Sequence, residues 1–147
     1  IPLFTEILQK EGYEVAIVGK IHTRNGVEER NWDYYFGHNS PGNDYANPLF
    51  KEGRKGTVGP QKQYNAGYPD DLTTDRAISW IDEDRGDKPF CILIWFVAPH
   101  EPFFRPRRHA DLYNGIPVAK PASFDDNLKR YPGKPKSFVR CSLELVG

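Results

Sequence analysis

The chain has 147 residues, enough for one domain with a hydrophobic core. Its 20 basic and 20 acidic side chains cancel, which argues against the basic surface of a nucleic-acid-binding protein. The longest hydrophobic run, residues 90–98, is too short for a membrane span, and two cysteines are too few for a disulfide framework.

The chain begins with the pattern of an amphipathic helix at residues 2–11. Phe4, Ile7 and Leu8 recur at helical spacing, and we expect them to face a sheet. Gly12 follows as the residue that ends the helix. The short loop after it indicates an αβ unit.

A buried parallel strand is predicted at residues 14–18. This apolar, β-branched run ends at Gly19, and Lys20 and His22 follow at once. Ligands of open α/β sheets bind outside the carboxyl ends of the strands. We therefore expect this lysine and this histidine to face an anionic ligand.

The next part of the chain is less regular. The aromatic cluster at residues 31–37 fits either a short strand or a packed loop. Residues 38–69 show no sustained period, and Gly, Pro and Asn recur in them. We interpret this stretch as a surface excursion beside the site, with a disordered insertion as the alternative.

A second helix is predicted from Asp70, a suitable N-cap, to the charged stretch before Gly86. It has one apolar stripe, formed by Thr74, Ala77, Ile78 and Ile81. Residues 90–97 then form a strand that is hydrophobic on both faces, which predicts a central position in the sheet.

His100 follows the end of that second strand. Flanking prolines fix its backbone, and Phe103 and Phe104 can shield it. The alternative is a core-edge histidine that binds a carbonyl group. Beyond it the chain is rich in Pro and Arg, with a helical turn expected at residues 108–113 and an extended tail from residue 117.

Three residues are therefore candidates for chemistry: Lys20, His22 and His100. A lysine can hold an anionic oxygen, and a histidine can protonate a departing oxygen. The alternative is that Lys20 and His22 are solvated surface residues without a chemical role. His38 and His109 have no matching partner and receive no role. The sequence contains no zinc-ligand spacing, GxSxG, P-loop or GxGxxG.

Cys91 lies inside the second hydrophobic run, where a buried and inert thiol is expected. A bridge to Cys141 stays open as an alternative.

The order of these blocks resembles a known family. Six blocks follow one another as in the middle of a formylglycine-dependent sulfatase of the alkaline-phosphatase-like superfamily. They are GYEVAIVGKIH, DYYFG, DDLTTDRAISWIDE, DKPFCILIWFVAPHEPF, RHADLY and IPVAKPASFDDN. The resemblance extends from residue 2 to about residue 140. It implies part of an α/β sandwich, with a mostly parallel central sheet, flanking helices and long loops.

The resemblance also assigns roles. Lys20 and His22 of the GKxH block and His100 of the APHxP block correspond to family residues that contact the sulfate and the leaving oxygen. Ile21 stands where the family usually has Trp. The family reaction is attack on sulfur by a hydrated formylglycine, with Ca²⁺ and the lysine neutralising charge.

The nucleophile and the metal ligands are missing from this sequence. Formylglycine arises from a C/S-x-P-x-R motif, which does not occur here, and Asp126-Asn127 resembles the family's calcium-binding Asp-Asn pair in letters only. We therefore expect residues 1–147 to be an internal part of a sulfatase catalytic domain. The nucleophile block would precede it and the metal block would follow it, and the chain alone would be inactive.

The expected substrate is a sulfated small molecule or a sulfated saccharide, and the remainder of the same domain is a further expected partner. The aromatic loop and the arginines at residues 105–108 would suit a sulfated sugar, although a solvated basic face explains them equally well. Two alternatives stay open: a phosphodiester or phosphonate hydrolase of the same superfamily, and a non-catalytic binding module. The resemblance implies a secreted, periplasmic or lysosomal location, and the sequence does not indicate which of these applies.

Overall fold

The computed structural model describes residues 2–23, 26–39, 45, 48–64 and 67–122. Its elements are α1 (Phe4–Lys10), β1 (Glu14–Lys20), β2 (Tyr34–His38), β3 (Leu49–Arg54), β4 (Thr57–Val58), β5 (Lys62–Gln63), α2 (Pro69–Ile81), β6 (Phe90–Trp95) and a 3₁₀ turn (Arg107–His109). All of them belong to one compact unit, residues 1–109. A second unit covers residues 110–147, and its described residues, 110–122, form turns and irregular chain.

The strands form a mixed sheet with the order β4-β3-β2-β1-β6, and β5 pairs with β3. β1 lies between β2 and β6 and is parallel to both. β3 is antiparallel to β2, β4 and β5. The predicted α/β class is confirmed, with the parallel part confined to the three strands β2, β1 and β6.

Helices cover both faces of this sheet. On one face, Ala16 and Val18 of β1 belong to a core that includes Trp80 of α2. On the other face, Val15 and Ile17 belong to a second cluster, against which α1 and Trp32 pack. Alternate residues of β1 are therefore buried in opposite layers, which explains its continuous hydrophobic run. Neither helix in the described ranges is long and apolar enough to cross a membrane.

The predicted inner face of α1 was only partly correct. Leu8 packs toward the sheet, but Phe4 and Ile7 are more than half exposed. The helix is rotated about its axis relative to the prediction. In this orientation the Arg30 guanidinium donates to the Glu6 carboxylate at 2.8 Å. Helical spacing predicts that a stripe exists, but it does not predict which neighbour fixes the rotation.

The prediction for α2 was wrong about its start and about most of its buried face, but its expected end at the charged stretch that begins with Asp82 is confirmed. The helix begins at Pro69 with Tyr68 as N-cap, and it ends at Ile81. Ile78 is half exposed, whereas Trp80 is fully buried. Apolar residues lie on more than one side of this helix, and the observed rotation buries the indole, the largest side chain.

Residues 38–69 contain three short strands where no regular structure was expected. β3 and β4 form a hairpin whose two turn residues, Lys55 and Gly56, have φ angles of 49° and 76°. Positive φ at both positions is typical of the tight turn that fits the twist of a hairpin. The Lys-Gly pair is a weak turn signal, which is why the sequence pattern missed it. Residues 40–44, 46–47 and 65–66 of this stretch lie outside the described residues.

The predicted central position of β6 was also wrong for the described sheet. β6 pairs with β1, and no other described strand pairs with its second edge. Ile94 and Trp95 are each more than a third exposed. A run that is hydrophobic on both faces shows that both faces are apolar, but it does not show which strands lie beside it.

Cys91 in this strand is half-buried and has a free thiol, and Cys141 lies outside the described residues. The helical turn that was expected at residues 108–113 is shorter and covers Arg107–His109.

Candidate functional site

The carboxyl ends of three neighbouring strands meet at one edge of the sheet. Lys20, the last residue of β1, is in register with His38, the last residue of β2. On the other side Gly19 is in register with Trp95, the last residue of β6. Because these ladders are parallel, the segments that follow β1, β2 and β6 all leave from the same edge.

Gly19 allows the close approach of β1 and β6 at this edge. Its φ is +110°, a value that side chains rarely adopt, and an added Cβ would lie 1.9 Å from the carbonyl oxygen of Trp95. Glycine is therefore required immediately before Lys20 for this pairing. Sequence reasoning took Gly19 as the end of the strand, but β1 continues through it to Lys20.

Lys20 and His22 differ in their surroundings. Lys20 is half-buried at the end of β1, and His22 is exposed. Between them the buried Ile21 donates its backbone N–H to the carbonyl of His38 at 2.8 Å. This bond extends the β1–β2 pairing by one residue and fixes the backbone from which His22 projects.

The turn that carries His100 is attached to the first turn of α2. The carboxylate of Asp70 accepts hydrogen bonds from the backbone N–H of Val97 at 2.7 Å and of Ala98 at 3.0 Å. Asp70 is 8% exposed, so these bonds are protected from water. The backbone N–H of His100 then donates to the carbonyl of Val97 at 2.9 Å. Asp70, predicted as a helix cap, instead positions the chain that leads to His100.

The imidazole of His100 is exposed, and the expected shielding by Phe103 and Phe104 is wrong. Both phenylalanine rings are more than half exposed. The ring Nδ1 of His100 lies 2.7 Å from the carbonyl oxygen of Glu101. A carbonyl only accepts, so this contact places the proton on Nδ1 and leaves Nε2 directed away from it. The carbonyl bond foreseen in the alternative interpretation is present, but the residue is not part of the core.

His38 is the residue that sequence reasoning missed at this edge. It is 2% exposed, and its ring contacts Phe50 edge to face at 4.6 Å. Its position beside Lys20 follows from the parallel register of β1 and β2. The signal was available in the aromatic run before it, which fits a strand as well as a loop.

The described residues offer no metal site. Within them, no group of three or more His, Cys, Asp or Glu side chains could hold a metal ion. We therefore assign no metal ligand in this part of the chain.

Comparison with known proteins gives one consistent result. The family model described as Sulfatase matches residues 1–130. An N-acetylglucosamine-6-O-sulfatase of Bacteroides thetaiotaomicron is 32% identical over 136 residues, which cover 91% of this chain and 22% of the relative. A solved structure of BT4656 in complex with its substrate, D-glucosamine-2-N,6-O-disulfate, is similar with a TM-score of 0.69 and 27% identity. That similarity covers 88% of this chain and 25% of the solved one. The chain thus spans about a fifth to a quarter of the proteins that it matches.

Proposed function

The chain belongs to the sulfatase family, and we propose that the carboxyl edge of its sheet binds the sulfate group of a sulfate ester and serves the departure of the alcohol. Lys20, His22 and His100 are the residues that we assign to this task. The observation that carries the proposal is the parallel β2-β1-β6 arrangement, whose ends bear these residues.

The proposed roles follow from the chemistry of the three side chains. The Lys20 ammonium is a compact positive charge with three donors, suited to the oxygens of a sulfate group. Its charge offsets the negative charge that develops on those oxygens as the ester bond breaks. An imidazole can deliver a proton to the departing alkoxide oxygen, and His22 and His100 are the candidates for that step. Because its Nδ1–H is directed at the carbonyl of Glu101, His100 would present Nε2, and it can deliver a proton from that atom only as the imidazolium, in which both ring nitrogens carry a proton.

The proposed substrate is a sulfated saccharide. Two matches support it: the curated relative is an N-acetylglucosamine-6-O-sulfatase, and the similar solved structure contains a sulfated glucosamine as its substrate. Both matches favour a sulfatase over a phosphodiester or phosphonate hydrolase. A non-catalytic binding module is distinguished by the experiments below.

Formylglycine and Ca²⁺ are expected in enzymes of this family, but the residues of this chain do not fit them. The sequence has no C/S-x-P-x-R motif, and the described residues hold no metal cluster. We therefore attribute only sulfate binding and leaving-group protonation to this chain. The purified 147-residue chain should not hydrolyse an aryl sulfate above the uncatalysed rate, and measurable turnover would contradict this assignment.

Competitive acylation of lysines tests the sulfate site directly. The chain is treated with a limiting acetylating reagent with and without inorganic sulfate, and the labelling rate of each lysine is read by mass spectrometry. Sulfate should slow the labelling of Lys20 several-fold. Lys88, 64% exposed beside the amino end of β6, is the matched control and should label at the same rate in both samples. Equal protection of both lysines, or of neither, would overturn the proposed site.

A further inference from the structure

A second feature lies beyond the strand ends, where the N-terminus of α2 meets the segment after β6. It is an open pocket of about 530 Å³. Its walls combine aromatic and arginine side chains: Tyr45, Tyr68, Phe104, Arg105, Arg107 and Arg108. This volume falls in the range of pockets that take a small molecule or one to two sugar rings.

The arginines of this pocket differ in their charge balance. Arg108 forms a two-pronged ion pair with Asp71, at 2.5 and 2.6 Å, so its charge is already compensated. Arg105 and Arg107 form no ion pair with any residue that the structure describes. Among the described residues, the pocket therefore has two guanidinium groups without an ion-pair partner, and such groups favour sulfate or carboxylate groups on a ligand.

The aromatic side chains form one connected wall. The ring of Tyr45 lies 5.8 Å from that of Tyr68 and 5.8 Å from that of Phe104, measured between centroids. The Tyr68 hydroxyl donates to the carbonyl of Phe104 at 3.0 Å. Burial raises the pKa of Tyr68 to about 12, so this hydroxyl remains a donor at neutral pH. Fixed aromatic faces of this kind suit a flat, partly apolar ring.

The pocket is attached to the turn that bears His100. The Tyr45 hydroxyl donates to the backbone carbonyl of His100 at 2.9 Å. A smaller adjoining pocket of about 260 Å³ shares Tyr45, Tyr68 and Phe104 and extends to Ala98 and Pro99. One ligand can therefore contact the wall and reach the turn that bears His100.

We propose that this aromatic and basic pocket is a subsite for a second, anionic sugar ring, next to the ring whose sulfate ester is cleaved. Arg105 and Arg107 bind the sulfate or carboxylate of that ring, and Tyr68 and Phe104 pack against its face. The proposal rests on the proposed function, because it assumes that the substrate is a sulfated saccharide. It adds that the preferred substrate is at least a disaccharide with an anionic group on each ring.

Titration calorimetry with two probes tests the subsite: inorganic sulfate, and a heparin-derived disaccharide with sulfate on both rings. In the double variant Arg105→Gln/Arg107→Gln the disaccharide should bind at least tenfold more weakly, while sulfate affinity stays within twofold. The matched control is Lys10→Gln/Lys62→Gln, which removes the same two positive charges at exposed residues that do not line the pocket, and it should keep disaccharide affinity within threefold. Phe104→Leu should weaken the disaccharide alone.

The same titrations in a Lys20→Ala background separate this proposal from the proposed function. If the subsite exists, weak disaccharide binding persists there and still depends on Arg105 and Arg107. If the two arginine substitutions leave disaccharide affinity unchanged in either background, the subsite is refuted while sulfate binding at Lys20 is unaffected. If the control variant loses as much affinity as the arginine variant, the effect is one of general charge or fold, and the subsite is again refuted.

Discussion

Asp70 is the residue on which the geometry of the His100 turn depends most. Its buried carboxylate accepts two backbone hydrogen bonds, so Asp70→Asn removes the charge and forces the amide NH₂ toward a backbone donor. We expect the substitution to lower the free energy of unfolding by about 3 kcal/mol, since bonds to a buried charged acceptor are among the strong ones. Urea unfolding measures the change.

Asp71 provides the control for that measurement. It lies in the same first turn of α2 and has the same charge, but its partner is the exposed Arg108. Asp71→Asn should therefore cost less than about 1 kcal/mol. Equal losses in the two variants would mean that Asp70 acts only through the charge of the helix terminus.

Gly19 is the second residue with a specific structural requirement. Gly19→Ala should destabilise the chain by roughly 3 kcal/mol or more, because the methyl group adds a clash with Trp95 to the strain of a positive φ. In Gly12→Ala the φ is +90° but nothing lies within 4 Å of the added carbon, so a loss of about 1 kcal/mol is expected. Thermal unfolding of both variants separates the clash with Trp95 from the backbone strain of a positive φ. A smaller loss at residue 19 than at residue 12 would refute the close packing of β1 and β6.

At the scale of elements, α1 is held by a titratable contact. The backbone N–H of Leu3 and then the Arg30 guanidinium hold the pKa of Glu6 below its ordinary value of 4.5. A carboxyl group with a lowered pKa in the folded state stabilises the fold above its unfolded-state pKa. That contribution is lost as the pH falls through the lower, folded-state pKa.

The variant Glu6→Gln should be less stable than the parent chain near pH 6, and the difference should shrink toward zero as the pH falls through the lowered pKa of Glu6. Denaturant midpoints across this range give the comparison. Glu11→Gln, at the other end of α1, removes the same charge and should retain the acid-dependent loss of the parent. A constant difference at all pH values would contradict the role given to Glu6.

The elements also show where sequence reasoning reached its limit. β1 was predictable, because burial on both faces requires a continuous apolar run, and Lys20 ends this strand. His100 lies in a turn five residues beyond the end of β6, and the shared role of Lys20, His22 and His100 stays a prediction. The rotation of α1 and α2 was not predictable, since Arg30 contacts α1 and the segment after β6 bonds to Asp70 of α2, and both partners are distant in the sequence. Such contacts join residues that are 24 or more positions apart, and no local pattern reports them.

At the scale of the molecule, the sheet brings the carboxyl ends of three separate blocks of sequence to one edge. β1 and β2 are parallel neighbours, and so are β1 and β6, although β6 follows β1 by 70 residues. The family resemblance predicts that Lys20, His22 and His100 share one site, and this stays a prediction. The sequence indicated that the aromatic loop and the arginines at residues 105–108 would suit a sulfated sugar. It could not predict that Tyr45, Tyr68 and Phe104 form one wall, because they come from separate segments without any periodic pattern.

The central claim is that Lys20, His22 and His100 bind one sulfate group together, and the chain's four histidines allow a direct test. Inorganic sulfate is titrated into the chain while the imidazole C–H signals are followed by NMR. The signals of His22 and His100 should shift with one common midpoint, the signal of His109 should stay still, and Lys20→Ala should weaken both shifts at least tenfold. Different midpoints for the two histidines, or shifts that are unchanged in Lys20→Ala, would contradict a shared sulfate site.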